Sequence, residues 1–155
     1  PNIKETKNLL LLRNNHVDEL QNTIVKGGEW VINIKSVRNV LSGENFVYAF
    51  PELIKNKVIV SKGEKITKIN FKKKDLNIKG IGDNINLLLS SSLAEIKRRG
   101  SLINEIKLRS DSVKKLKDFL NQNNKNNFVL EVVSLRNSKT AQPVVVELNI
   151  IPRSS

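Results

Sequence analysis

The stretch 83–100, DNINLLLSSSLAEIKRRG, decides the fold class. Asp83 is a good N-cap, and Ile85, Leu88, Leu89, Leu93 and Ile96 then recur at helical spacing as one apolar stripe. Lys97, Arg98 and Arg99 stand in the last turn, where cations meet the negative end of the helix dipole, and Gly100 follows as the stop. Outward from this helix the period changes. Leu76–Ile81 before it and Leu102–Leu108 after it predict strands. Asp111 or Ser112 caps a second helix, with Val113, Leu116, Phe119 and Leu120 on one face, and 121–127 is a polar loop. Phe128–Leu135 is a third strand. Val144–Ile151 is a fourth, in which Val144, Val146, Leu148 and Ile150 alternate with Glu147 and Asn149. Pro143 opens it, where a missing N–H is tolerated. The order β-α-β-α-β-β predicts an α/β (α+β) unit over 75–155, with two helices on one face of a four-stranded sheet.

Residues 1–74 read as a second small α/β unit, or as an extension of similar make-up. Leu9–Arg13 is a strand, Val17–Val25 a short helix ending at Gly27-Gly28, and Trp30–Ile34 another strand. Residues 37–56 read as irregular or helical, because Gly43 and Pro51 interrupt them. Val58–Ser61 and Ile66–Phe71 suggest a hairpin around Lys62-Gly63-Glu64-Lys65. Sliding the chain on itself by 72 residues brings Ile24 onto Ile96, Gly28 onto Gly100, Ile34 onto Ile106, Lys35 onto Lys107 and Asn14 onto Asn86. The two units are therefore candidates for an internal duplication.

Composition narrows the function. The 155 residues are 39% hydrophobic, enough for a core. They carry 27 Lys/Arg against 15 Asp/Glu, a net charge of +12, and such a basic chain most often meets phosphate. No cysteine is present, which excludes disulfides, thiolate metal sites and cysteine nucleophiles. The apolar runs Leu9–Leu12 and Val144–Val146 are far too short to span a bilayer, and no signal-peptide pattern opens the chain. The expectation is a soluble, intracellular protein without a membrane partner.

Catalysis finds little support. His16 is the one histidine, and the acids are scattered, with none of the clustered carboxylates that two-metal chemistry needs. Gly80-Ile81-Gly82 is a weak phosphate-cradle signal, but Ile85 stands where the dinucleotide fingerprint requires a third glycine. No catalytic residue, metal or cofactor is expected. The positive charge, by contrast, is patterned. It falls at Lys62–Lys79, at Lys97–Lys117, and at Arg136, Lys139 and Arg153 around the last hairpin. Aromatic residues are only 5% of the chain, so phosphate and shape contact are favoured over base stacking.

Residues Leu76-Asn77-Ile78-Lys79-Gly80, the helix ending Leu93-Ala94-Glu95-Ile96-Lys97-Arg98-Arg99-Gly100, Asn104-Glu105-Ile106-Lys107 and the final strand resemble the Alba superfamily, including its relatives of the stage V sporulation protein S type. The likeness covers about half the chain. It implies a small basic protein that dimerises and binds DNA or RNA, with contacts after the first strand, at the start of the second helix and along the last hairpin. In topology the unit is also similar to other RNA binders, such as the C-terminal domain of bacterial initiation factor three. Together with the charge pattern, this nominates Lys79, Arg98, Arg99, Arg109, Lys114, Lys115, Arg136 and Lys139 as nucleic-acid contacts. Where the superfamily carries Gly-Arg, this chain reads Ser110-Asp111, which suits a member specialised inside a ribonucleoprotein. The expected function is non-catalytic binding of structured RNA as a subunit of a larger particle. The alternatives are a DNA-binding protein of that superfamily, or a protein–protein oligomerisation scaffold whose charge is incidental.

Overall fold

The computed structural model describes residues 9–39, 46–71, 78–122 and 127–153. The chain forms two compact units, Pro1–Asn56 and Lys57–Ser155. The first contains β1 (Leu9–Leu11), α1 (Asn14–Ile24), β2 (Trp30–Ser36) and β3 (Phe46–Lys55). The second contains β4 (Val58–Val60), β5 (Lys65–Phe71), α2 (Ile78–Arg98), β6 (Ile106–Leu108), α3 (Ser112–Gln122), β7 (Phe128–Ser134), β8 (Ser138–Lys139) and β9 (Val144–Pro152). The protein is α+β, as its pattern predicts. No helix of the described residues is long and apolar enough to cross a membrane.

The four-stranded sheet of the second unit has the order β5-β7-β9-β6. β7 is antiparallel to both β5 and β9, while β6 runs parallel to β9. Directly opposed residues share a face, so Phe71, Ile69, Leu130, Val132, Leu148, Ile150 and Val146 point to one side. That side is packed by Leu88 and Ile96 of α2 and by Leu116 of α3. Phe71 and Phe128 stack at 4.8 Å between ring centres, and Phe119 meets Phe128 edge-on at 5.3 Å. The Thr67 and Ser92 hydroxyls bond to each other at the same interface, so the buried polar pair is satisfied. α2 stops where predicted. Gly100 takes φ +103, a conformation costly for other residues, and the Ser101 N–H donates back to the Ile96 carbonyl.

Several elements differ from the sequence reading. The first strand of the β-α-β-α-β-β order is Lys65–Phe71, not Leu76–Ile81. Ile78 to Ile81 belong to the first turn of α2, and 72–77 lie outside the described residues. Asp83 is therefore inside the helix rather than at its cap. The expected strand from Leu102 shrinks to Ile106–Leu108, since the Leu102 N–H is taken by the Thr140 carbonyl. The expected hairpin also dissolves. Gly63, at φ +78, makes the turn, but the Gly63 N–H donates to Ser134 and β5 continues along β7, while β4 pairs with β8. Both strands thus join the second unit, and the division falls between Asn56 and Lys57, ahead of the expected one after residue 74.

The first unit is a three-stranded sheet, β1-β3-β2, with β1 parallel and β2 antiparallel to β3. Residues 46–55, expected to be irregular, form its central strand. Pro51 is tolerated because β1 pairs only with Phe46–Tyr48, and among the described residues no strand pairs with that side of β3 beyond them. This β-α-β-β arrangement recurs in the second unit as β6, α3, β7 and β9, with the same parallel and antiparallel partners. α1 and α3, of 11 residues each, start at 14 and 112, an offset of 98, and β2 and β7 start at 30 and 128, again 98 apart. The recurrence therefore runs in a different frame from the 72-residue one, which would lay α1 on α2.

Candidate nucleic-acid interface

Charge is divided unevenly between the units. Pro1–Asn56 carries 7 Lys/Arg and 6 Asp/Glu, a net +1, and Lys57–Ser155 carries 20 and 9, a net +11. The basic residues nominated from sequence lie in the second unit, but the fold does not bring them all together.

One group collects where three turns meet. The Glu64 carboxylate accepts the Ser61 N–H at 2.8 Å and binds the Arg99 guanidinium. The Lys62 N–H donates to Asn137 Oδ1 at 2.8 Å, and the Leu102 N–H donates to the Thr140 carbonyl at 2.9 Å. The C-terminal end of α2, the turn after β4 and the turns around β8 are thereby laced into one end of the unit. Lys62, Lys97, Arg98 and Arg136 are exposed around it, and Lys139 is half-buried among them. Sequence reasoning placed Lys62 in another cluster and left Lys62 and Lys97 out of the site. No local signal could have added Lys62, because its neighbours come from strand pairing across 75 residues.

The arginines here are partly committed. Arg98 is bidentate on Glu95, at 2.9 Å from both Nε and Nη2, and Arg99 Nε reaches the same carboxylate at 2.8 Å. These bonds, Arg98's first, hold the Glu95 pKa down at about 2. Arg99 is bound on two sides by Glu95 and Glu64 and is only a quarter exposed, so it is a structural tie rather than a contact open to a ligand.

The second group, at the β6–α3 junction, is more self-neutralised. Arg109 holds Asp111 through Nε at 2.6 Å and Nη2 at 2.7 Å, and Glu147 through Nη1 at 3.0 Å. Lys115 Nζ adds a contact to Asp111 at 3.2 Å. Asp111 sits just before α3 with its pKa lowered to about 2, first by Arg109 and then by Lys115. Arg109 and Lys115 therefore organise the helix start, and Lys114 is left exposed on α3. Lys79 lies in the first turn of α2, not in a loop after a strand, and its side chain falls outside the described residues. Among the described residues no three His, Cys, Asp or Glu side chains gather to hold a metal.

A two-layer α+β module with a basic end is the class this architecture defines. A family model described as the DUF3084-associated C-terminal helical hairpin matches residues 60–154, and the chain belongs to that family. No curated protein and no solved structure matches it. The resemblance to the Alba superfamily is overturned: the matching family model is a different one, no model of that superfamily matches, and Ile78 to Gly80, read as part of its first strand, are helical. Over the matched residues the two helices are not directly joined. β6 lies between α2 and α3, and both pack on the sheet.

Proposed function

We propose that the second unit binds the phosphate backbone of structured RNA through its basic end, without catalysing a reaction. The observation that carries this reading is the segregation of charge, +11 in one unit and +1 in the other. A solvated, solubilising surface would have no reason to spare the first unit. Lys and Arg side chains on laced turns can follow a phosphate backbone and release its counterions. The aromatics of this unit are committed to its interior, since Phe71 and Phe128 are buried and Phe119 packs on them. Base stacking is therefore a poor route to affinity, and shape and charge are left.

Fluorescence anisotropy of a labelled RNA hairpin across salt tests it. With about five phosphate contacts, log affinity falls against log salt with a slope on the order of −4. The triple reversal Lys62→Glu, Lys97→Glu and Arg136→Glu removes about three contacts and flattens the slope by about 3. The same charge change at Lys4, Lys7 and Arg13, in the first unit, has the smaller effect. A flat titration of the unmodified chain, or equal losses from the two sets, overturns the reading.

A further inference from the structure

The first unit exposes an apolar strand face whose counterpart in the second unit is buried. Ile32 and Ile34 of β2 are 48% and 50% exposed. Their counterparts at the offset of 98 are Leu130 and Val132 of β7, both at 0%. The cause is visible in the sheet orders. β7 is an interior strand, paired on its outer side by β5 and covered by α2. β2 is an edge, and no strand of the described residues pairs with its outer side.

Edge strands are normally blunted by charge, proline, bulges or shortness. β2 has none of these defences in strength. Its seven residues, WVINIKS, hold an unbroken register with β3 and contain no proline or glycine. Its single charge, Lys35, is tied to Glu52 at 2.7 Å.

We propose that β2 pairs with β2 of a second copy of this chain, antiparallel about a two-fold axis at Asn33. The strand is complementary to itself in that register. Ile32 falls opposite the second copy's Ile34, and the reverse holds by symmetry, which puts four isoleucines side by side on one face. Trp30 meets the second copy's Ser36, and Val31 meets the second copy's Lys35, so no like charges are opposed. The near-neutral first unit, at +1, is also the part of the chain through which two copies can approach with least repulsion. The product is a continuous sheet of six strands with both β2 edges closed. This inference stands apart from RNA binding, since its surface lies in the other unit.

The chain has no cysteine, so one introduced thiol can bridge only between copies. Asn33 is the residue opposed to itself, at a spacing a disulfide can span. The Asn33→Cys chain, oxidised without RNA, should run as a disulfide-linked dimer. Lys35→Cys, displaced four residues along the partner strand from its own copy, should not. Sedimentation velocity on the cysteine-free chain should show a dimer, and Ile34→Lys should weaken it more than tenfold while circular dichroism stays unchanged, because Ile34 is half exposed in its own unit. A monomer at all concentrations, equal cross-linking at 33 and 35, or a dimer indifferent to Ile34→Lys overturns the proposal. None of these outcomes bears on whether RNA binds.

Discussion

The two units use one β-α-β-β plan to opposite ends. In the second, an added strand and helix close the edge and bury the face, and the surplus of charge is carried outside a packed core. In the first, Ala49 is the sole buried hydrophobic among the described residues, while Phe46, Tyr48, Ile32 and Ile34 stand half exposed. The same topology is therefore self-sufficient or incomplete according to whether its edge strand has a neighbour. An incomplete sheet places hydrophobic area where a partner can cover it, and a complete one frees its surface for charge.

Matched substitutions expose the contrast most sharply. Leu130→Lys puts an unpaired charge into a fully buried position and should cost on the order of 5 kcal/mol, enough to unfold the second unit by chemical denaturation. Ile32→Lys, its counterpart, should leave the fold of either unit intact, and comparable losses would erase the distinction. Phe128→Ala removes the ring between Phe71 and Phe119 and should cost about 3–5 kcal/mol. Phe50→Ala in the first unit should cost under about 1 kcal/mol, since that ring is already partly in water.

The smallest expected effect is in acid. Glu95 and Asp111 have folded pKa values of about 2, below their ordinary 4.5 and 3.8. A depressed folded pKa means that the arginine bonds contribute fully above the unfolded value and are lost as pH falls through the folded one. The second unit should therefore lose stability between about pH 4.5 and pH 2 in a denaturation series. Glu95→Gln together with Asp111→Asn should flatten that dependence. Both carboxylates are still partly open to solvent, so screening keeps the effect modest. The first unit carries one lowered carboxylate among its described residues, Glu52, bonded by Lys35 and then Asn33.

Much of the second unit was legible because its signals are local. Val144 to Ile150 alternate at period two, Ser112 opens a helix of the expected extent, and Gly100 ends another. The errors fall where a local signal pointed the wrong way. Gly80 and Gly82 read as the junction between a strand and a helix but lie within α2, where the Gly80 carbonyl accepts from Asn84 Nδ2. Pro51 read as a strand breaker, yet it sits where, among the described residues, β3 has no second neighbour and needs no N–H. The candidate site was legible as charge and not as geometry. Nothing in the sequence around Arg109 says that Glu147 will reach it from β9, or that Arg99 will be shared by Glu64 and Glu95.

By itself, the sequence determined the class of the fold, its helices in the second unit, the excess of positive charge and the absence of cysteine chemistry. Each of these depends on residue type and on spacing within a few turns. Only the tertiary structure decided which strand supplied the first position in the sheet, which arginines were spent on internal carboxylates, and which edge was left open. Those outcomes depend on groups 35 to 75 residues apart meeting in space, as Glu64 meets Arg99 and Lys62 meets Asn137. Periodicity marks the face a residue will turn inward, but strand order determines what waits on the other side.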